Sequence, residues 1–234
     1  PQLKELLSNY YGENAHHIAI SLLIKHCNAG DVEEALALKE SLEKQGYTYR
    51  QGVISGLAYM AARYQKDLPT ALSYLDQLRD WYPSYSDYES VVLAIADLQC
   101  HQGKLRDAEA LLNRYVSDHA SSLTEESRYS RKMNLMSLKL MKTVALNCSP
   151  EEAHRMMDLL VFSKFYTGDA EKLGNIVIAP LLESGDVDHA VGVFEQLFQS
   201  HNITPMLEPL LHALITQGSH KLDNMFSLLL YVEG

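Results

Sequence analysis

Along this chain a helix-sized run of apolar positions, a short polar break and a second helix-sized run recur in that order, which is the pattern of a helical hairpin used repeatedly. The break carries a recognisable phrase. Gly30-Asp31-Val32-Glu33-Glu34-Ala35 returns as Gly185-Asp186-Val187-Asp188-His189-Ala190, and more loosely as Gly103-Lys104-Leu105-Arg106-Asp107-Ala108. Taking the closing alanine as a register mark gives Ala35, Ala71, Ala108, Ala153 and Ala190, with steps of 36, 37, 45 and 37 residues. The spacing predicts hairpins at about 16–46, 52–80, 87–118, 124–166, 170–200 and 205–231. In the last of these Leu207, Leu210, Leu211 and Leu214 mark the first helix, while Asp223 or a neighbour stands at the alanine position.

Capping residues open the second helices. Asp31 has Glu34 three residues on, and Ser149-Pro150-Glu151-Glu152 places proline at the first helical position. The alanine recurs where two helices approach closely. The long step has a visible cause, a polar stretch from Ser117 to Ser127 ahead of a longer first helix. The expected organisation is therefore a first repeat block at 1–118, a polar linker with a long basic amphipathic helix at 119–148, and a second repeat block at 149–234. The expected fold is all-α, a right-handed solenoid of about six helical hairpins, because stacked units bury a continuous core that no single unit can.

Composition narrows the function classes. An apolar fraction of 47% with 12 Gly and 7 Pro suits a folded chain. No apolar run reaches the ~18 residues a membrane span requires, so no membrane insertion is expected. Cys27, Cys100 and Cys148 are too few and too scattered for a disulfide framework, which favours a reducing compartment. Cys27 and Cys100 hold the same register position, three residues before the phrase's glycine, as small buried hydrophobes do. The chain starts at Pro1 and stops at Gly234 directly after an apolar helical pattern, so a segment of a longer chain is expected, with any targeting signal outside it. A formal net charge of −10 repels nucleic acid on average, and contact with RNA must be local.

The run Ile20-Ser21-Leu22-Leu23-Ile24-Lys25-His26-Cys27-Asn28-Ala29-Gly30-Asp31-Val32-Glu33-Glu34-Ala35-Leu36-Ala37-Leu38, closing on Lys44-Gln45-Gly46-Tyr47, resembles a pentatricopeptide repeat, and Ile176 to Phe194 gives a second match. Tetratricopeptide repeats fit less well, since their Trp…Leu-Gly…Tyr signature is absent. In its leucine-rich, acidic style the chain resembles the mitochondrial leucine-rich branch of the pentatricopeptide family. That resemblance implies binding of single-stranded RNA with one base per repeat, a place in the mitochondrial matrix, stabilisation of messenger RNA, and a small RRM-type protein partner. Family members place Asn, Ser or Thr at the fourth residue of the first helix. The matching positions here hold Ile20, Gly56, Leu93, Asn175 and Glu208, of which Asn175 follows the rule. At the repeat ends Arg50 departs from the pattern and Ser86-Asp87 lies near it.

Two constellations stand out from the residues themselves. On the long helix of the fourth unit Arg128, Arg131, Lys132, Lys139 and Lys142 share a stripe about 100° wide, with Met133, Met136, Leu140 and Val144 opposite. This is a candidate surface for RNA phosphates or an acidic partner. Five phosphate contacts on a single strand would give a salt slope of about −3.5. The second is Trp81-Tyr82-Pro83-Ser84-Tyr85-Ser86-Asp87-Tyr88, in which Trp81, Tyr82 and Tyr85 could stack on bases, anchor a protein partner, or pack between repeats with Trp81 closing the end of a helix. Of the ten histidines, His16 and His17 are adjacent and point apart, and no His-Glu-x-x-His occurs, so no metal site is expected. Paired acids such as Glu33-Glu34, Glu125-Glu126 and Glu151-Glu152 mark helix starts, where the dipole favours them. Phosphate-cradling loops, a nucleophile elbow and a dinucleotide fingerprint are all missing, so no enzyme, no cofactor and no small-molecule substrate are expected. The alternative to an RNA-associated protein is a scaffold that binds protein alone.

Overall fold

A computed structural model describes residues 12–86, 88–119 and 131–217. Every regular element among them is helical. In chain order these are α1 (Gly12–Ala29), α2 (Val32–Lys44), α3 (Gln51–Met60, running on as a π-helical turn Ala61–Gln65), α4 (Leu68–Trp81), α5 (Glu89–His101), α6 (Leu105–His119), α7 (Arg131–Asn147), α8 (Pro150–Phe162), α9 (Ala170–Glu183), α10 (Val187–His201) and α11 (Leu207–Gln217). The all-α expectation holds. Asp223 and the second helix of the sixth hairpin lie outside the described residues, as does Arg128.

The chain forms two compact units, residues 1–98 and 99–234. The sequence blocks follow the spacing of the phrase, whereas the compact units follow where the backbone lies close to itself, and the division falls within α5.

In the first unit α1 packs on both α2 and α3, and α3 packs on α4. Ala19, Leu23 and Cys27 of α1 meet Ala35 and Leu42 of α2 and Val53, Leu57 and Met60 of α3 in one apolar cluster. Gly56 lets α1 and α3 close together, since a β-carbon there would lie 3.4 Å from Cys27 Cβ. Burial pushes the Cys27 thiol up to about 12, so it acts as a hydrophobe rather than a nucleophile. Gly30 is required twice over. Its φ of +89° suits the turn after α1, and a β-carbon would fall 2.6 Å from the Tyr64 ring, whose hydroxyl donates to the Asn28 carbonyl at 2.9 Å.

In the second unit α7, α9 and α11 lie side by side as one layer and α6, α8 and α10 as another, each member touching the next. Tyr115, Leu140, Met157, Leu173, Phe194 and Leu210 belong to the interior between them. Two polar residues on the inward side of α7 fix the connection from α8 to α9: Ser137 Oγ donates to the Phe165 carbonyl at 3.1 Å, and Asn134 Oδ1 accepts from the Thr167 amide at 2.9 Å.

The register alanines do what the spacing implies. Ala35, Ala71, Ala108, Ala153 and Ala190 are all buried to within about one percent of their surface. At Ser149 the expected capping box is complete, with the Glu152 amide donating to Ser149 Oγ and the Ser149 amide donating to Glu152 Oε2. Asp31 differs. Its side chain caps no amide and accepts from His26 Nδ1 at 2.9 Å. Asp186, at the equivalent place, does cap, accepting from the His189 amide.

Candidate nucleic-acid interface

The outer face of α7 is built by helical spacing. Met133, Leu140, Met141 and Val144 turn inward and are buried, which leaves Arg131, Lys132 and Lys142 exposed and Lys139 half-buried on the other side. Among the described residues Arg131 and Lys142 make no ion pair. Partial desolvation holds the Lys132 ammonium below the usual lysine range. The stripe is not purely basic. Leu135 and Leu146 lie within it, 57% and 75% exposed, at about −20° and 0° on the wheel that sets Arg128 at zero.

Asn175 sits near the start of α9, the helix beside α7, and opens onto a groove between α9 and α11 of about 740 Å³. Glu171, Thr204, Met206, Leu207, Leu211 and Ile215 contribute most of its walls, with Glu208 at the rim. Two features make this groove unlike a packing gap. The Asn175 Oδ1 atom is buried and has no hydrogen-bond partner among the described residues, a condition that normally costs about 1–3 kcal/mol. Met206 holds a left-handed φ of +52°, a conformation a non-glycine side chain resists. The segment before it presses on α9 so closely that a β-carbon at Gly174 would lie 2.9 Å from Pro205 Cβ. Thus Asn175 and Glu208, the matching positions of two successive first helices, face one groove. The other matching positions differ: Leu93 is 1% exposed, Gly56 is buried against Cys27, and Ile20 lines a smaller groove of about 270 Å³ with His16, Tyr47 and Arg50.

The aromatic run divides. Tyr82 packs within the first unit, its hydroxyl donating to the Tyr49 carbonyl at 2.9 Å, and Tyr85 stacks on buried Tyr88 with ring centroids 6.1 Å apart. Trp81 closes no helix end, because it is the last residue of α4 and remains 55% exposed. The tyrosines supply the packing, and the indole is left to solvent.

Sequence spacing missed one grouping. His154 and Asp158 stand one turn apart on α8, and the fold carries His201, at the end of α10, to the same carboxylate. The first two were visible as an i, i+4 pair; the third is 43 residues away from Asp158 and needed the packing of α8 on α10.

No family model matches the chain, and no curated protein matches it.

Proposed function

We propose that this chain is a non-catalytic, RNA-associated helical-repeat protein, its hairpins stacked as a solenoid of pentatricopeptide type, in which the layer formed by α7, α9 and α11 receives a single strand. The observation that carries this reading is the Asn175 side chain on the wall of an open, largely apolar groove, its buried Oδ1 without a hydrogen-bond partner among the described residues. A base fits those requirements: its flat face tolerates apolar walls, and its edge offers a donor that the Asn175 oxygen meets once its side chain turns toward the groove. On the neighbouring helix Arg131 and Lys142 offer cations to the backbone of the same strand. The mechanism is occupancy. An ordered surface holds RNA extended and away from nucleases or pairing, and no bond is made or broken. The resemblance described above extends this reading to messenger RNA of the mitochondrial matrix and to a small RRM-type partner.

Fluorescence anisotropy with labelled single-stranded RNA at 50 and 200 mM salt tests the proposal. Four phosphate contacts along α7 would weaken binding by about fiftyfold over that range, from a slope of about −0.7 per contact. Replacing both Arg131 and Lys142 with alanine should reduce the slope by about 1.4. Absence of binding at low salt removes the RNA reading.

A scaffold reading has its own observation. Leu135 and Leu146 are exposed amid the cations of α7, and an apolar stripe with a basic border suits an amphipathic acidic segment of a protein. Such a partner would bind with a negative heat-capacity change and a shallow salt dependence.

A further inference from the structure

The grouping on α8 and α10 has the chemistry of a metal site. Asp158 Oδ1 lies 2.7 Å from His201 Nε2 and 3.6 Å from His154 Nε2, and the three potential ligand atoms all fall within 4.8 Å of one another. A tetrahedral zinc with bonds of about 2.0–2.1 Å separates its ligands by about 3.3 Å, and the two observed separations fall on either side of that value. The third separation, between the two imidazole nitrogens, lies within 4.8 Å, so seating an ion draws the side chains together. The rings are already set for it. His154 and His201 meet edge to face with centroids 6.3 Å apart, so that both Nε2 atoms face one carboxylate. Phe162 stacks on His201 at 5.3 Å and fixes its plane, and the His201 side chain is only 4% exposed. Ser200 Oγ lies 3.1 Å from His154 Nε2 and donates to the Gln196 carbonyl, which adds an oxygen at the edge of the cluster.

We propose that His154, Asp158 and His201 bind one zinc ion, with the fourth position open to water. Two imidazoles and one carboxylate suit zinc and its first-row neighbours. Magnesium and calcium call for more oxygen ligands than this cluster offers. On binding, each neutral imidazole presents the Nε2 lone pair and carries its proton on Nδ1, so the ion replaces the hydrogen bonds that join His201 to Asp158 and His154 to Ser200, and no net proton need be released. Because α8 and α10 belong to successive hairpins, the ion would bolt one hairpin to the next. This inference is independent of the RNA proposal.

Isothermal titration of the whole chain with zinc chloride tests it. One equivalent should bind to the unmodified protein, and His154→Gln and Asp158→Asn should each weaken that binding by at least about a hundredfold, the upper end of what loss of a supporting residue alone produces. The paired variant His16→Gln/His17→Gln should bind zinc as the parent does, which separates this site from background histidine binding. His154 and Asp158 are partly solvent-exposed, and melting curves without metal establish that both variants fold. Zinc should raise the melting temperature of the parent and leave that of His154→Gln unmoved. Cobalt substitution gives a further readout, a visible ligand-field spectrum without a thiolate charge-transfer band. Equal zinc affinity in the parent and both variants, or no saturable equivalent in the parent, overturns the proposal.

Discussion

Replacing Asn175 with leucine sets stability against binding at one atom. Leucine branches where asparagine does and has nearly its shape, so the exchange removes the buried Oδ1 that lacks a partner and leaves the groove filled. An orphaned buried acceptor costs about 1–3 kcal/mol, and leucine is the better helix former by a few tenths of a kcal/mol. Some of the gain is offset because the groove is open and water reaches its rim. A net stabilisation of about 1 kcal/mol remains, which for a chain of this size raises the melting temperature by about 2–4 °C. Binding should move the other way. Loss of one hydrogen bond to a base edge is worth about 0.5–1.5 kcal/mol, or a two- to twelvefold weaker dissociation constant. Thermal melting followed by circular dichroism reads the first effect, and anisotropy with single-stranded RNA reads the second. A lower melting temperature together with unchanged RNA affinity would refute the argument, because it would mean that the Asn175 amide is satisfied within the protein and touches no ligand.

Ala190→Leu, at a fully buried register position of α10, should destabilise by about 1–3 kcal/mol through overpacking, measured by urea titration; a change below 0.5 kcal/mol would mean the helices do not meet there. Ser149→Ala breaks both hydrogen bonds of the capping box and should cost about 0.5–2 kcal/mol, read from the same titration. Trp81→Ala should leave the melting temperature within a degree of the parent, because the indole is exposed, and any loss of RNA or protein binding by that variant then reports direct contact. The Asp186 carboxylate, 2.7 Å from His189 Nδ1, raises the His189 pKa above the ordinary 6.5. The folded form thus holds this proton more tightly than the unfolded chain does, and the contribution is fully present below pH 6.5 and lost as pH rises through the folded value. Proton NMR titration should find the His189 midpoint above that of an unpaired histidine, and Asp186→Asn should bring it back down.

The repeating phrase made the helices legible for a physical reason. A glycine at positive φ, a capping position and a small residue at the helix contact are local requirements, and each leaves its own residue type in the sequence at Gly30, Gly185, Ser149 and the five buried alanines. Cys27 and Cys100 were readable in the same way, from register alone. Local spacing also separated the inward from the outward side of α7, and it places the exposed Leu135 and Leu146 on the outward side among the cations.

What only tertiary structure decided were relations between residues far apart in the chain. Asp31 and Asp186 occupy the same place in the same phrase and each pairs with a histidine, yet only Asp186 also caps its helix, its partner His189 lying within that helix while the partner of Asp31, His26, lies in the helix before. Asn175 was marked by register, but its unsatisfied oxygen and its groove exist because α11 and the segment around Pro205 close over α9. His201 reaches Asp158 only through the packing of α10 on α8. Helical periodicity encodes which face of a helix is apolar, and it carries no information about which side chains two such faces bring within bonding distance.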